Sequence, residues 1–264
     1  MNQTPSVAVA DGTRIAYRFD GDPSLPVLVL SNSIGTTLHM WDDEVPALSR
    51  RFRVLRYDTR GHGDSDVAPG AYSLDRLGRD VLELMDALDI QRAHFLGLSL
   101  GGFTGQWLGV HAPERIDRLI LSNTAAYWGP AAPWAARIAS VLQAPDMRET
   151  AELFLRNWFP ADMLQANGPQ VQRYRAMLLA TDRHGLAGNY AAVRDGDLRR
   201  TLALIPNPTL VIAGQHDPVS TAADGERIAA SVPGAKFKLL PGVHLANVEF
   251  HDDFLATVLD FLTV

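Results

Sequence analysis

The chain has 264 residues, of which 47% are hydrophobic, 20% are charged and none is cysteine. This length fits one large α/β domain with an insertion, or two small domains. The lack of cysteine excludes disulfide frameworks, thiolate zinc sites, iron–sulfur clusters and a cysteine nucleophile.

The charge balance and the hydropathy pattern exclude further classes of protein. The net charge is -6 and no run is rich in Lys or Arg. A nucleic-acid-binding surface is therefore not expected, because such surfaces neutralise backbone phosphates. No N-terminal segment has the layout of a signal peptide, and no apolar run reaches the roughly eighteen residues of a membrane span. We expect a cytoplasmic protein with no membrane association.

Short apolar runs alternate with longer segments of helical period, which is the pattern of a mostly parallel sheet with crossover helices. Eight runs are predicted to be strands, over residues 6–10, 14–19, 27–30, 53–57, 93–98, 118–122, 209–213 and 236–240. Asp11 and Gly12 form a turn signal between the first two strands, which are predicted to pair as an antiparallel hairpin at one sheet edge. The other six strands are predicted to be parallel.

Apolar residues recur at steps of three and four over residues 73–89, which predicts a helix with one buried face and Ser73 as its N-cap. Similar spacing predicts a last helix over residues 253–262. Both apolar stripes indicate core packing rather than ligand contacts.

The regular alternation of strands and helices stops after Asn123 and resumes near residue 201. The intervening segment shows no clear strand, and it holds three of the five tryptophans, Trp128, Trp134 and Trp158. We interpret this segment as a mostly helical lid over one end of the sheet.

The predicted organisation is a single core interrupted by this lid. The core comprises residues 1–123 and 197–264, and the lid comprises residues 124–196. The lid carries seven arginines and six acidic residues, a local balance of +1 in a chain of net charge -6. Positive character is therefore expected to be local to the lid.

The strongest local signal is a Gly-x-Ser-x-Gly pattern over residues 97–101, between the strand 93–98 and a predicted helix over 103–110. In this pattern the serine occupies a strained strand-to-helix turn, and the glycines leave room for the backbone. The turn lifts the Ser99 hydroxyl above the sheet and places the Leu100 N–H where an oxyanion forms. Because the strand–turn–helix setting is present, we interpret Ser99 as a nucleophile.

A serine nucleophile needs a base, and the base needs an acid to orient it. In hydrolases with this turn the chain order is serine, acid, histidine. Asp217 follows the strand 209–213, and His244 follows the strand 236–240. Because ligands bind at the carboxyl ends of parallel strands, these residues are predicted to meet Ser99 there as a catalytic triad.

The seven other histidines are weaker candidates for the base. His62 lies in a polar loop over residues 58–65 that we interpret as structural, and His216 adjoins Asp217, so that their side chains diverge. The rest lie in or beside helices and strands. No His, Asp or Glu cluster has metal-ligand spacing, so no metal is expected.

A second oxyanion donor is expected from the loop 31–37, which follows the strand 27–30. Asn32 and Ser33 occupy the positions where this fold commonly has His-Gly, so the predicted donor is the N–H of Ile34. Losing one such donor typically costs about 3–4 kcal/mol of transition-state stabilisation.

Over its whole length the sequence resembles the α/β-hydrolases, and within them it is similar to the 3-oxoadipate enol-lactonases of bacterial aromatic-acid catabolism. The resemblance is carried by residues 31–36, 56–65, 97–102, 157–160, 180–185 and 244–249. The Gly-x-Ser-x-Gly pattern marks the whole superfamily, whereas the Asn-Ser-Ile-Gly-Thr loop and the lid segments point to the lactonases. The resemblance implies hydrolysis of a five-membered enol-lactone with an acetate arm to 3-oxoadipate, without a cofactor.

The small anionic lactone implied as substrate carries a carboxylate, which favours a cation or polar donors in the pocket. We hypothesise that the first lid helix supplies them, with Arg137 binding the carboxylate and Trp134 covering the ring.

Other functions stay open, because fold and triad do not determine the substrate. A general carboxylesterase or a C–C bond hydrolase would use the same residues. A ligand-binding receptor without turnover belongs to a different class, and the intact set of Ser99, Asp217 and His244 argues against it. The sequence leaves the oligomeric state open, including a homo-oligomer.

Overall fold

The apolar runs become the strands of one sheet in the computed structural model, which describes residues 4–263. The strands are β1 (Ser6–Ala8), β2 (Arg14–Asp20), β3 (Val27–Ser31), β4 (Arg53–Tyr57), β5 (Ala93–Leu98), β6 (Ile116–Ser122), β7 (Thr209–Gly214) and β8 (Lys236–Leu240).

The strands lie side by side in the order β1-β2-β4-β3-β5-β6-β7-β8. β2 pairs antiparallel with both β1 and β4, whereas β3 to β8 are all parallel. The predicted α/β architecture, a sheet of eight mostly parallel strands with an edge hairpin, is confirmed. β1 is shorter than predicted, because the N–H of Gly12 donates to the carbonyl of Val9 and closes a turn there.

Residues 4–263 also contain eleven α-helices. They are α1 (Val45–Leu48), α2 (Leu74–Ala87), α3 (Leu100–His111), α4 (Ala131–Gln143), α5 (Arg148–Trp158), α6 (Ala161–Ala166), α7 (Pro169–Ala180), α8 (Arg183–Asp195), α9 (Ala222–Ser231), α10 (Ala246–Glu249) and α11 (His251–Leu262). Short 3₁₀ helices span Leu38–Trp41, Pro113–Arg115 and Leu202–Leu204. The Ser73 hydroxyl accepts from the N–H of Arg76, which confirms the predicted cap of α2. No helix in this range has the length and apolar content needed to cross a membrane.

The central strands β3, β4, β5 and β7 are buried on both faces, which explains their nearly continuous apolar runs. Leu28 and Leu30 of β3 pack on one face with α11, while Val29 between them packs on the other face with α2 and α3. This alternation follows from the two-residue period of a strand.

Helices α4 to α8 lie between β6 and β7, inside the segment predicted as a lid. An isolated bridge between Tyr127 and Asp197 joins the two ends of that segment. Trp158 of α5 and Tyr174 of α7 share a hydrophobic cluster with Trp41 and β3. The division into core and lid at residues 124 and 196 stays a prediction.

A buried carboxyl lies beneath the loop that follows β8. Glu44 is 1% exposed, and its Oε1 accepts a hydrogen bond from the Asn247 amide at 3.0 Å. Its Oε2 is buried and has no hydrogen-bond partner within residues 4–263. Burial raises the pKa of Glu44 to about 7. The folded protein therefore holds this proton more tightly than the unfolded chain does.

Replacing Glu44 with Gln is expected to remove a pH-dependent loss of stability. A carboxyl whose pKa is raised from 4.5 to about 7 destabilises the fold as the pH rises through that window, by up to about 3 kcal/mol. Urea unfolding at pH 5 and pH 8 should show a smaller fall for Glu44→Gln than for the wild type. Glu114→Gln, at an exposed position, is the control. A wild-type slope in Glu44→Gln would contradict the prediction.

Candidate active site

Ser99 occupies a strained turn between β5 and α3. Its φ is +58° and its ψ is -113°, in a region that residues with a side chain rarely adopt. A Cβ on Gly97 would collide with the carbonyl of Gly101, and one on Gly101 would collide with the backbone of Ser31. The Ser99 N–H donates to the Ser122 carbonyl at 2.9 Å. The glycines of the motif are therefore required by the close approach of β3, β5 and α3.

Asp217 and His244 form a buried pair at the carboxyl ends of β7 and β8. The Nδ1 of His244 lies 2.8 Å from Oδ2 of Asp217. The N–H groups of Val219 and Ser220 donate to Oδ1 of Asp217 at 2.8 and 3.0 Å, and the Ser220 hydroxyl donates to Oδ2 at 2.8 Å. Burial alone would raise the pKa of Asp217, but the charge and hydrogen bond of His244 and these donors lower it below its ordinary value. The carboxylate is thus held ionised beside the imidazole.

Ser99 and His244 line the same pocket. Trp158 stacks on the imidazole with the ring centroids 6.4 Å apart and the planes 19° from parallel. Because the ionised Asp217 carboxylate can only accept a hydrogen bond, Nδ1 of His244 carries the proton. Nε2 of His244 is then free to act as a base. No hydrogen bond joins the Ser99 hydroxyl to His244 in the described residues; in free enzymes such bonds often tighten only when substrate binds.

The two predicted oxyanion donors belong to residues that line the pocket with Ser99. Ile34 and Leu100 both line the pocket, and neither backbone N–H meets an acceptor elsewhere in residues 4–263. Leu100 is the first residue of α3, so its N–H lacks an intrahelical partner. The N–H of Gly101 donates to the Asn32 carbonyl at 3.0 Å and connects the two loops.

The remaining walls of the pocket come mostly from the lid and are largely apolar. The lining residues beyond the four above are Trp128, Trp134, Arg137, Leu153, Phe154, Asn157, Trp158, Tyr190, Val193 and Val219. The guanidinium of Arg137 lies 4.5 Å from the centroid of the Trp134 ring. Arg137 is exposed at the mouth, and no carboxylate of the described residues pairs with it. The structure therefore brings both predicted substrate-binding residues into the pocket.

Comparison with known proteins decides the family. The family model described as the alpha/beta hydrolase fold matches residues 26–250. The chain belongs to the α/β-hydrolase fold family. Two curated relatives are similar over most of its length. The 3-oxoadipate enol-lactonase 2 of Acinetobacter baylyi is 37% identical, covering 91% of this chain and 90% of the relative. A provisionally named carbamate hydrolase, RutD, of Pseudomonas savastanoi is 35% identical, covering 90% of this chain and 93% of the relative.

Two solved structures of α/β hydrolases superpose closely on this one. A hydrolase from Pseudomonas aeruginosa is 63% identical with a TM-score of 0.97, covering 98% of both chains. The enol-lactonase from Burkholderia xenovorans is 43% identical with a TM-score of 0.96, covering 98% of this chain and all of the other.

Three polar residues of this α/β hydrolase escaped the sequence analysis. Asn157 lines the pocket beside Arg137. Tyr190 is 5% exposed, lines the pocket and packs on Trp134 with the ring centroids 5.5 Å apart. Their positions depend on lid packing, although Asn157 begins one of the segments similar to the lactonases.

The third missed residue, Asn123, is hydrogen-bonded both to Asp217 and to the residue before His244. It follows β6 with a φ of +45°, and its Nδ2 donates to Oδ2 of Asp217 and to the Val243 carbonyl, both at 3.2 Å. One amide thus spans the loops that carry Asp217 and His244. The sequence signal was its place at the carboxyl end of a parallel strand.

Asn123→Ala is expected to lower kcat by roughly tenfold, because a hydrogen bond to a charged group contributes about 1.5 kcal/mol or more. KM should change little, since Asn123 does not line the pocket. Steady-state kinetics on titrated active sites checks this result. Asn207→Ala is the matched control: this buried asparagine donates to the carbonyls of Pro113 and Ile116, outside the pocket. Equal losses of kcat in the two variants would refute the role of Asn123.

Proposed function

We propose that this α/β hydrolase opens a small anionic lactone, 3-oxoadipate enol-lactone, to 3-oxoadipate through an acyl-enzyme on Ser99. The observation that carries the proposal is the unpaired Arg137 at the mouth of a largely apolar pocket that also contains Ser99 and His244. Similarity to two enol-lactonases supports it.

In the proposed acylation, Nε2 of His244 takes the Ser99 proton while Oγ bonds to the lactone carbonyl carbon. Asp217 orients the imidazole and stabilises its charged form. The N–H groups of Ile34 and Leu100 hold the oxyanion. The ring C–O bond then breaks, and the enolate that leaves takes the proton from His244 while it stays tethered to the acyl chain.

In deacylation His244 again acts first as a base and then as an acid, with water as the nucleophile and Ser99 as the leaving group. His244 removes a proton from water, whose oxygen attacks the acyl carbon, and the Ser99 oxygen departs with that proton. The new carboxylic acid loses its proton to solvent and the enol isomerises to the ketone, so the product 3-oxoadipate carries two carboxylates. The reaction needs no cofactor.

The carboxylate of the acetate arm is assigned to Arg137, with Trp134 covering the ring. Trp134 is fixed by a hydrogen bond from its Nε1 to the Trp128 carbonyl at 2.7 Å. Asn157 and Tyr190 offer further polar groups in the lining of the same pocket. A neutral ester lacks the group that these residues recognise.

Carbamate hydrolysis is the second candidate, because a relative of 35% identity is named for it. General esterase and C–C bond hydrolase activities would also use Ser99 and His244. A panel containing enol-lactone generated in place, a neutral ester and a small carbamate separates these activities. The proposal requires the largest kcat/KM to be on the enol-lactone.

Ser99→Ala is expected to abolish turnover of the lactone and of esters, because no other nucleophile faces the carbonyl in the proposed reaction. The far-UV circular dichroism should match that of the wild type. The wild type should show a burst of one equivalent with an activated ester, and the variant none. Activity above a hundredth of wild type would count against the acyl-enzyme.

Arg137→Ala is expected to reduce kcat/KM on the enol-lactone by roughly tenfold, the lower end for a charge-assisted contact at an exposed position. Turnover of a neutral ester should change less than threefold. Arg156→Ala removes the same charge from α5 at an exposed position outside the pocket and is the matched control. Equal proportional losses on the lactone and the ester would reject the assignment of Arg137.

A further inference from the structure

The loop 58–65 contacts the loop 31–37, which carries Ile34 and is called the oxyanion loop below, through a buried histidine. His62 is 2% exposed, and its Nε2 accepts a hydrogen bond from the Gly35 N–H at 2.8 Å. Its Nδ1 faces the Arg60 carbonyl at 3.5 Å. Because Nε2 is the acceptor, the proton lies on Nδ1.

This hydrogen bond acts on the peptide that follows the proposed oxyanion donor. Residues 33–36 form a turn in which the Thr36 N–H donates to the Ser33 carbonyl at 3.2 Å. Gly35, the third residue, has a φ of +78°, which belongs to a type II turn. Type I and type II turns differ by rotation of the central peptide, here the one between Ile34 and Gly35. The His62 acceptor holds that peptide in the type II orientation.

We propose that His62 is a positioning residue that keeps the Ile34 N–H aimed into the pocket by fixing the adjacent Gly35 peptide. This inference rests on the oxyanion role proposed for Ile34. His62 does not line the pocket, so it acts through the backbone and not on the substrate.

The loop that carries His62 is anchored independently of the substrate. The Asp58 carboxylate accepts from the N–H groups of Leu38 at 2.6 Å and Asp64 at 2.9 Å. On the other side, Nδ2 of Asn189 in α8 donates to the Arg60 carbonyl at 2.9 Å. His62 is thus held between the oxyanion loop and the lid helix α8.

The chemistry of the imidazole suits this role. Burial lowers the pKa of His62 to about 4, so in neutral solution the ring is uncharged and Nε2 keeps its lone pair. A hydrophobic side chain of similar size would leave the buried Gly35 N–H without an acceptor, which is unfavourable. The turn could then gain a partner for that N–H only by rotating its central peptide.

The test compares two uncharged replacements that place an oxygen at different depths. The side chain of Gln can put its carbonyl oxygen near the position of Nε2, whereas that of Asn reaches only to Nδ1. With p-nitrophenyl acetate, kcat per titrated site should stay within threefold for His62→Gln and fall by tenfold or more for His62→Asn. KM should change less than twofold in both. Inhibition by a boronic acid, a mimic of the tetrahedral oxyanion, should weaken by the same factor as kcat.

His94→Gln and His94→Asn are the matched controls, because His94 is a half-buried histidine of β5 that packs on Phe52 outside the pocket. Both should keep the wild-type kcat. Equal falls of kcat in His62→Gln and His62→Asn, or a fall without weaker boronate binding, would overturn the inference. The neutral ester keeps this test independent of the lactone specificity. Turnover of the ester by Ser99→Ala above a hundredth of the wild-type rate would instead reject Ser99 as the nucleophile, and this inference with it.

Discussion

The strained backbone of Ser99 is the constraint on which the site depends. A residue in such a conformation costs of the order of 1–3 kcal/mol and persists only where its surroundings hold it. Here the Ser99 N–H is bound to β6, and its carbonyl accepts from the Phe103 N–H at 2.9 Å and from the Thr124 hydroxyl at 2.8 Å. The same turn starts α3 at Leu100, which leaves that N–H without a helical partner. One local strain thus accounts for both the buried Ser99 residue that lines the pocket and the unpaired Leu100 N–H proposed as an oxyanion donor.

The electrostatics of the lid depend on which arginines are already paired. Four of its seven arginines form ion pairs within the described residues, namely Arg148, Arg173, Arg175 and Arg194. Arg183 donates to the carbonyls of Ala144 and Pro145. The local balance of +1 therefore says little about anion binding by itself. Arg137 is distinguished by its place in the pocket lining and by the Trp134 ring next to its guanidinium. A count of charges in the sequence reveals neither feature.

The strands and the triad positions were predictable because each leaves a local mark in the sequence. Strands buried on both faces give continuous apolar runs, and the elbow around Ser99 needs glycines at fixed spacing. Asn123 left only its place at the end of β6, and Tyr190 left no local mark, since the partners of both residues lie far away in the sequence and meet only in the fold. Asn123 reaches Asp217 across 94 positions and Val243 across 120. Bonds over such separations depend on strand order, which periodicity does not encode.

In the loop 58–65, His62 can have both a structural role and the positioning role proposed above. His62, which the sequence indicated to be structural, is indeed buried and does not line the pocket. Its partner, however, is the peptide beside Ile34, while the loop packs on α8 through Gly61, where a Cβ would lie 2.5 Å from Cα of Gly185. Helix α8 is buried over most of its length, whereas α4 buries only Val141. The lid is therefore anchored unevenly: α8 packs on the loop 58–65, whereas α4, which carries Trp134 and Arg137, is exposed over most of its length.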